Sequence, residues 1–378
     1  MISKLLLFAL LLLVPSHALA GDDDEVQCRS CDSTGMRVCK EHKKAECKLE
    51  DGLVYCNEFE GCELCAGTGF VDCTKCENEV ASEELARRAA ERVRNAEQHK
   101  WIHEKMERRV RLLETEHFRL VWELDSLKVN KKRLNGHQLA HLYGSRLERL
   151  WEDYANLFGA TERSFKEKPL ILVWWLPKDQ VKSSSAFCNT GSRQGAKLLG
   201  STPRFSLCGN KQFARDDDTL HRSIVHNVTH LLLSHQSPAF WIGNVKGGWA
   251  DAGLAHWFEE KYWGVCTNYC YQEQNTQVGF KGGKYKVAVR KLVAEEKTTA
   301  AAVVFQKNTD TLTPLEHALS FSYVDYLLSI DGSKFSNLVR LLKKREPTRD
   351  ALKEIYGMNP LEFESGWKAW VLETYPKR

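Results

Sequence analysis

His226 and His230 stand four residues apart in the segment HNVTH. On a helix that spacing puts both imidazoles on one face, one turn apart, where they can grip a single metal ion. To cleave a bond, the ion also needs further protein ligands, and its bound water needs a proton acceptor beside it. The residue after the first His is Asn227, whose amide cannot hold a proton near neutral pH. Downstream lies WADAGLAHWFEE, Trp249 to Glu260, in which Asp251, His256 and Glu259 carry donor atoms. Asp251 follows His230 by 21 residues.

A second concentration of chemistry lies near the N-terminus. Nine of the 13 Cys fall between Cys28 and Cys76. Residues 28–42 (CRSCDSTGMRVCKEH) and 62–76 (CELCAGTGFVDCTKC) align without a gap, 34 residues apart. Each is a C-x2-C-x7-C-x2-(C/H) unit, with Thr34 matching Thr68 and Gly35 matching Gly69. His42 takes the place of Cys76. Cys and His are interchangeable as zinc ligands, whereas His has no part in a disulfide, so the substitution favours metal. Cys28, Cys31, Cys39, His42, Cys62, Cys65, Cys73 and Cys76 would fill two structural zinc sites. The sites would form within each repeat or across repeats, with Cys28 and Cys31 joining Cys73 and Cys76. Cys47 and Cys56 lie outside the repeat, as a disulfide pair or as alternative ligands.

CELCAGTG resembles the CxxCxGxG repeat of the DnaJ-type zinc-binding domain, over residues 28–76. The first copy departs from it at Ser33 and His42. The resemblance implies structural zinc and contact with unfolded polypeptide. HNVTH and WADAGLAHW together resemble the gluzincin peptidases, specifically the MA-like peptidase domain, whose signature runs HExxH and then W-x-x-E-G-L-A. His226, His230, Trp249, Gly253, Leu254 and Ala255 match it, and the diffuse likeness extends from His117 to the late GWKAWVLETYP segment. The resemblance implies a general base at the position of Asn227 and a liganding carboxylate at the position of Ala252. Neither residue can serve, and losing the base alone costs about two to four orders of magnitude in rate. Asp251 is the neighbouring substitute, but one helical residue turns the side chain by about 100°. His226, His230 and Asp251 therefore remain as a vestigial metal set.

The elements that must position these residues are legible in outline. A charged, Gly- and Pro-free stretch from Ala81 to about Leu113 predicts a long helix with Ser82 as N-cap. Its thin apolar stripe predicts a solvated linker, with His99 and His103 on the surface. His117 to Glu123 alternates as a strand with Phe118, Leu120 and Trp122 on one face, and Pro169 to Leu176 reads as a buried strand. Arg204 to Leu207 is a further strand. Helices are expected over His137 to Phe158, Thr219 to Ser234, Gly247 to Trp263, and from about Lys284 to the end. Ser183 to Ser185 reads as loop. Cys188 could pair with Cys208, and Cys266 with Cys270. Asn227-Val228-Thr229 also fits a glycosylation sequon, a coincidence on an amphipathic helix.

Residues 1–20 have the plan of a secretory signal: Lys4, an apolar core from Leu5 to Val14, and Ala18-Leu19-Ala20 before a chain starting at Gly21. A composition of 43% hydrophobic and 28% charged residues is that of a globular chain. A net charge of +4 over 378 residues argues for neither nucleic acid nor an anionic membrane surface as partner. The fold class expected is α+β: a Cys-rich zinc module (21–80), a helical linker (81–116), and a mainly helical gluzincin-like domain with a small sheet (117–378). The expected function is that of an exported, catalytically inactive zinc-peptidase homologue, in the periplasm or secreted. It would carry about two structural zinc ions and bind polypeptide or act as a scaffold, without stable membrane insertion. Two other expectations stand beside it. One is an atypical active zinc metallopeptidase, with Asp251 or His256 as third ligand and Glu259 or Glu260 as base. The other is a zinc- or thiol-dependent chaperone or redox protein.

Overall fold

A computed structural model describes residues 28–31, 34–41, 53–58, 62–65, 69–75, 79–268 and 283–378. The fold is α+β, as expected. The two Cys repeats meet through a short antiparallel pair, β1 (Met36–Val38) with β3 (Phe70–Asp72). Gly35 and Gly69 precede these strands with φ of 71° and 82°, a backbone region that strongly favours glycine. That requirement explains why Gly recurs at the matching position of both repeats.

A mixed six-stranded sheet runs in the order β2-β4-β5-β8-β10-β9. Its strands are β2 (Leu53–Cys56), β4 (Leu112–Thr115), β5 (Arg119–Glu123), β8 (Leu170–Trp174), β9 (Gly195–Leu198) and β10 (Arg204–Cys208). β5, β8 and β10 are mutually parallel; the flanking pairs are antiparallel. The period-2 alternation of strands divides the core into two layers. Leu120, Trp122, Ile171 and Val173 face one, and Val121, Leu170, Leu172 and Trp174 face the other. This double burial is why Leu170 to Trp174 are apolar without interruption, whereas Trp175 and Leu176, expected in the same buried strand, lie past its end and are exposed. A hairpin of β6 (Ser126–Val129) and β7 (Lys132–Asn135) stands apart from the sheet.

The smaller core layer is covered by α1 (Glu79–Met106) and α3 (Pro177–Cys188), through Ile102, Met106, Phe187 and Cys188. Three expectations change here. His99 is fully buried, with Nε2 at 2.6 Å from Glu114 of β4, and His103 is half-buried, its Nδ1 accepting from Val110 N–H. The C-terminal half of α1 is thus a packed face, because the polar partners on β4 accept what the thin apolar stripe could not cover. Ser82 lies inside α1 and donates to Asp72 instead of capping the helix. Ser183 to Ser185 are helical: Pro177 starts α3, and Ser183 bonds Ser206 Oγ at 2.8 Å while Ser184 donates to the Val181 carbonyl.

The larger layer is built by α2 (Gly136–Phe158), α4 (Asp217–His235), α5 (Gly248–Trp263), α6 (Tyr285–Ala294), α7 (Ala301–Val304), α8 (Pro314–Ile330), α9 (Gly332–Lys343), α10 (Thr348–Tyr356) and α11 (Pro360–Thr374). Asn135 opens α2 with a reciprocal capping box to Gln138. Asp216 caps α4, and the buried Asp217 beside it receives a two-pronged ion pair from Arg146 of α2. α5 crosses α8 so closely that a Cβ on Gly253 would lie 2.4 Å from the Ser320 carbonyl oxygen. That contact accounts for the Gly in the WADAGLAHW segment. No helix among the described residues is long and apolar enough to cross a membrane.

Candidate metal centres and a buried histidine cluster

In the Cys-rich segment, pairing of β1 with β3 sets the first Cys pair of each repeat beside the third Cys of the other. Cys39 N–H donates to the Gly69 carbonyl and Cys73 N–H to the Gly35 carbonyl, so the two crossings are symmetric. Cys28, Cys31 and Cys73 form one group of donors that could hold a metal ion; Cys39, Cys62 and Cys65 form another. The arrangement is the one across repeats. His42 and Cys76, the expected fourth ligands, lie outside the described residues, as does Cys47. No disulfide joins any two of the described Cys. Sγ to Sγ distances of 3.8 Å for Cys28–Cys73 and for Cys39–Cys62 are far beyond a sulfur–sulfur bond. Burial pushes the Cys62 thiol up, but N–H groups of Cys65 and Leu64 directed at its sulfur more than offset this and hold it below its ordinary range. Burial dominates at Cys65, which is pushed up to about 11.

Cys188, Cys208 and Cys266 lie outside the donor groups. Cys188 lies against the carbonyls of Ala196 and Arg204, whereas Cys208 lies at the other end of β10 against the Trp175 carbonyl. Four strand steps, about 13 Å, separate the two ends, so the expected Cys188–Cys208 pairing does not occur. Burial pushes the Cys188 thiol up to about 12. Cys266 is buried and donates to the His256 carbonyl; Cys270 lies outside the described residues.

The HNVTH segment lies on α4, antiparallel to the part of α5 that carries Asp251, His256 and Glu259. Nε2 of His226 and Nε2 of His230 face each other at 3.3 Å. Nδ1 of His226 lies 3.2 Å from Glu259 Oε2, and Nδ1 of His230 lies 2.9 Å from Asp251 Oδ1. His256 approaches the same Glu259 oxygen at 3.4 Å through Nδ1, and His317 of α8 at 3.2 Å through Nε2. Each of these side chains is at most 1% exposed. His317 was not singled out from the sequence; one His on an otherwise apolar helix face was its only signal.

The structure corrects the expected position of Asp251. Its carboxylate does not turn away from the His pair; Trp241 Nε1–H and Thr309 Oγ–H, from outside α5, donate to Oδ2 and aim Oδ1 at His230. It meets the Nδ1 edge, behind the face that looks toward His226. The three donors that converge within 4.8 Å are His226, His256 and Glu259, rather than His226, His230 and Asp251. Asn227 is half-buried and spends its amide on the Ser223 carbonyl one turn back, at 2.7 Å. Ala252 is part of the apolar core. Thr229 of the sequon is fully buried.

Glu259 is the most heavily engaged carboxylate of this cluster. Burial alone would raise it, but the His226 and His256 imidazoles outweigh burial and hold it down at about 2. Oε1 accepts from Thr267 N–H at 2.7 Å, Asn268 N–H at 3.1 Å and Asn268 Nδ2–H at 2.7 Å. Desolvation holds His256 down at about 4, despite Glu259. Glu260, on the rim, is 3.1 Å from Lys286 Nζ. Glu259 is not a strong base at neutral pH in this arrangement.

A further group of donors was not assembled from the sequence. Cys56 at the end of β2 meets His137 and His141 of α2, with donor atoms of all three within 4.8 Å of one another. The signal for it was present: HQLAH repeats the His-x3-His spacing of HNVTH. Comparison with protein-family models and with curated proteins finds no match to this chain.

Proposed function

We propose that this chain is an exported, non-hydrolytic relative of the MA-like zinc peptidases, with a zinc-stapled Cys module in front of a peptidase-like scaffold. The observation that carries the reading is the closed state of the His cluster. His226, His230, Asp251, His256 and Glu259 are buried and engaged with one another. Hydrolysis needs a substrate carbonyl and a water beside the ion, and a proton acceptor tuned near the working pH. Asn227 has turned its amide onto its own helix, and Glu259 is held at about 2. The cluster therefore serves as a polar lock between α4, α5 and α8.

Zinc in the Cys module is supported by sulfur spacing. Thiolates about 2.3 Å from a tetrahedral zinc ion stand roughly 3.8 Å apart. Cys28–Cys73 and Cys39–Cys62 have that separation before any ion is considered. Four ligands per site would be completed by Cys76 and His42.

The test is a cleavage assay on the full mature chain, with zinc, against unfolded proteins and quenched peptides. We expect background hydrolysis. Zinc-dependent cleavage abolished by His226→Ala would overturn the reading.

One observation favours a second reading. Two imidazole nitrogens 2.0–2.1 Å from one tetrahedral zinc ion stand roughly 3.3 Å apart, which is the His226–His230 separation, and both Nδ1 atoms are backed by carboxylates. The cluster would then hold a buried ion, as a structural centre or as an atypical hydrolase. Metal bound in a His226- and His230-dependent manner would select this reading, and cleavage would separate its two forms.

A further inference from the structure

We propose that Cys56, His137 and His141 form a metal centre of their own, which takes a zinc-type divalent ion and fastens the Cys-rich segment to the large domain. Nothing in this proposal depends on whether the His226–His230 pair binds metal or is catalytically silent.

The three donors come from parts of the chain that the fold holds rigidly. Cys56 is 3% exposed and pairs with Leu113 across the β2–β4 ladder. The residue after it, Asn57, is buried and clamped on both sides: Nδ2 donates to the Val110 carbonyl at 2.8 Å, and Oδ1 accepts from Leu112 N–H at 2.9 Å. Arg92 and Arg109 donate to the carbonyls of Cys56 and Asn57. The thiol is therefore fixed in place by the sheet edge and α1. His137 lies in the first turn of α2, and His141 follows one turn later on the same face, with ring centroids 4.3 Å apart.

The surroundings are those of a metal-binding imidazole. Glu58 Oε2 accepts from His137 Nδ1–H at 2.5 Å, and Arg111 Nε lies 3.5 Å from the same oxygen. A carboxylate on one ring nitrogen sets the tautomer that leaves the other, Nε2, as a ligand lone pair. Arg111 reaches this position because residue 136 is Gly: a Cβ there would stand 2.3 Å from its Nη1. One thiolate and two imidazoles suit zinc or cobalt over calcium or magnesium, which take oxygen ligands. Three protein donors would leave one tetrahedral position for solvent.

The spacing alone would not carry this. HQLAH on an amphipathic helix is by itself a pair of polar residues. The addition is a buried sulfur from 81 residues earlier in the chain, delivered to the same point by strand pairing, with a carboxylate behind one imidazole.

The experiment is metal counting on the full mature chain purified with zinc, together with anomalous scattering at the zinc edge from crystals of the unmodified protein. Cys56→Ser and His141→Ala should each lose about one equivalent of zinc while the ions of the repeats stay bound. Cys56→His, which restores a nitrogen donor, should keep it. Cobalt substitution should show a thiolate charge-transfer band that disappears in Cys56→Ser and survives in Cys28→Ser. An anomalous peak among Cys56, His137 and His141 needs no variant, so it decides the matter even where the substitutions fail to fold. Unchanged zinc content in both Cys56→Ser and His141→Ala would overturn the proposal. So would the absence of that peak in crystals whose repeat sites are loaded, or a Cys56–Cys47 disulfide in the native protein.

Discussion

HNVTH on α4 and HQLAH on α2 share one spacing and are placed in opposite circumstances. His226 and His230 lie at the centre of the larger core layer, with carboxylates behind both rings and two more imidazoles, His256 and His317, in the same network. His137 and His141 lie where a strand of the Cys-rich segment comes alongside the start of a helix, and His137 has a carboxylate at 2.5 Å. The first pair is buried and has carboxylates at 3.2 Å and 2.9 Å. The second has a thiol as neighbour. The same four-residue interval thus makes a polar lock in one place and a ligand set in the other, and the deciding factor is what the neighbouring elements supply.

The difference breaks most sharply at the carboxylates. Glu259→Ala should strip the common partner from His226 and His256 inside the core and cost roughly 3–5 kcal/mol in urea unfolding of the metal-free chain. A loss under about 1 kcal/mol would show that the lock is not structural. Acid should act on the same cluster in two stages. His256 is lowered from its ordinary 6.5 to about 4, so the unfolded chain binds the extra proton between those values and stability falls as pH drops through them. Glu259 is lowered from 4.5 to about 2, so its contribution is complete above about 4.5 and is lost as pH falls toward 2. Both slopes have the same sign, and Glu259→Gln should flatten the lower limb in unfolding measured against pH.

Gly253→Ala tests what closes the cluster. Its new Cβ would meet the α8 backbone at 2.4 Å, and forcing α5 from α8 should cost about 1–3 kcal/mol. On the other side of the contrast, Glu58→Ala should lower the stability of the metal-free chain by no more than about 1 kcal/mol, because the Glu58 carboxylate is partly solvated. In the zinc-loaded chain the same change should weaken metal affinity by about 10- to 100-fold, read by chelator competition. Smallest of all, Asn227→Glu should leave peptide cleavage at background, since a restored carboxylate still faces a closed cluster. Measurable zinc-dependent turnover in that variant would reopen the hydrolytic reading.

Much of the fold was legible in local pattern. Leu170 to Trp174 of PLILVWWL form a strand buried on both faces, and Phe118, Leu120 and Trp122 do share a face. The helices carrying HNVTH and WADAGLAHW begin and end within two residues of the expected positions. What failed was each judgement of where a polar side chain would go. His99 was expected on the surface because α1 is charged, yet Glu114 on β4 draws it into the core. Asp251 was expected to turn away by helical geometry, yet Trp241 and Thr309 hold it in. Ser183 to Ser185 were expected in a loop by composition, yet bonds to Ser206 and to the helix backbone settle them in α3.

Residue type and interval alone established the possible chemistry: which positions carry sulfur, imidazole or carboxylate, that the Cys motif occurs twice, and that Asn227 and Ala252 carry no titratable group. Those are properties of covalent structure and of the 3.6-residue turn. Only the tertiary structure decided who meets whom: Cys28 with Cys73 instead of Cys39, Glu259 instead of Asp251 at the convergent donors, Cys56 with a distant His pair. A side chain's partner is set by strand register, helix crossing and burial, and these are summed over the whole core, beyond the reach of any local interval.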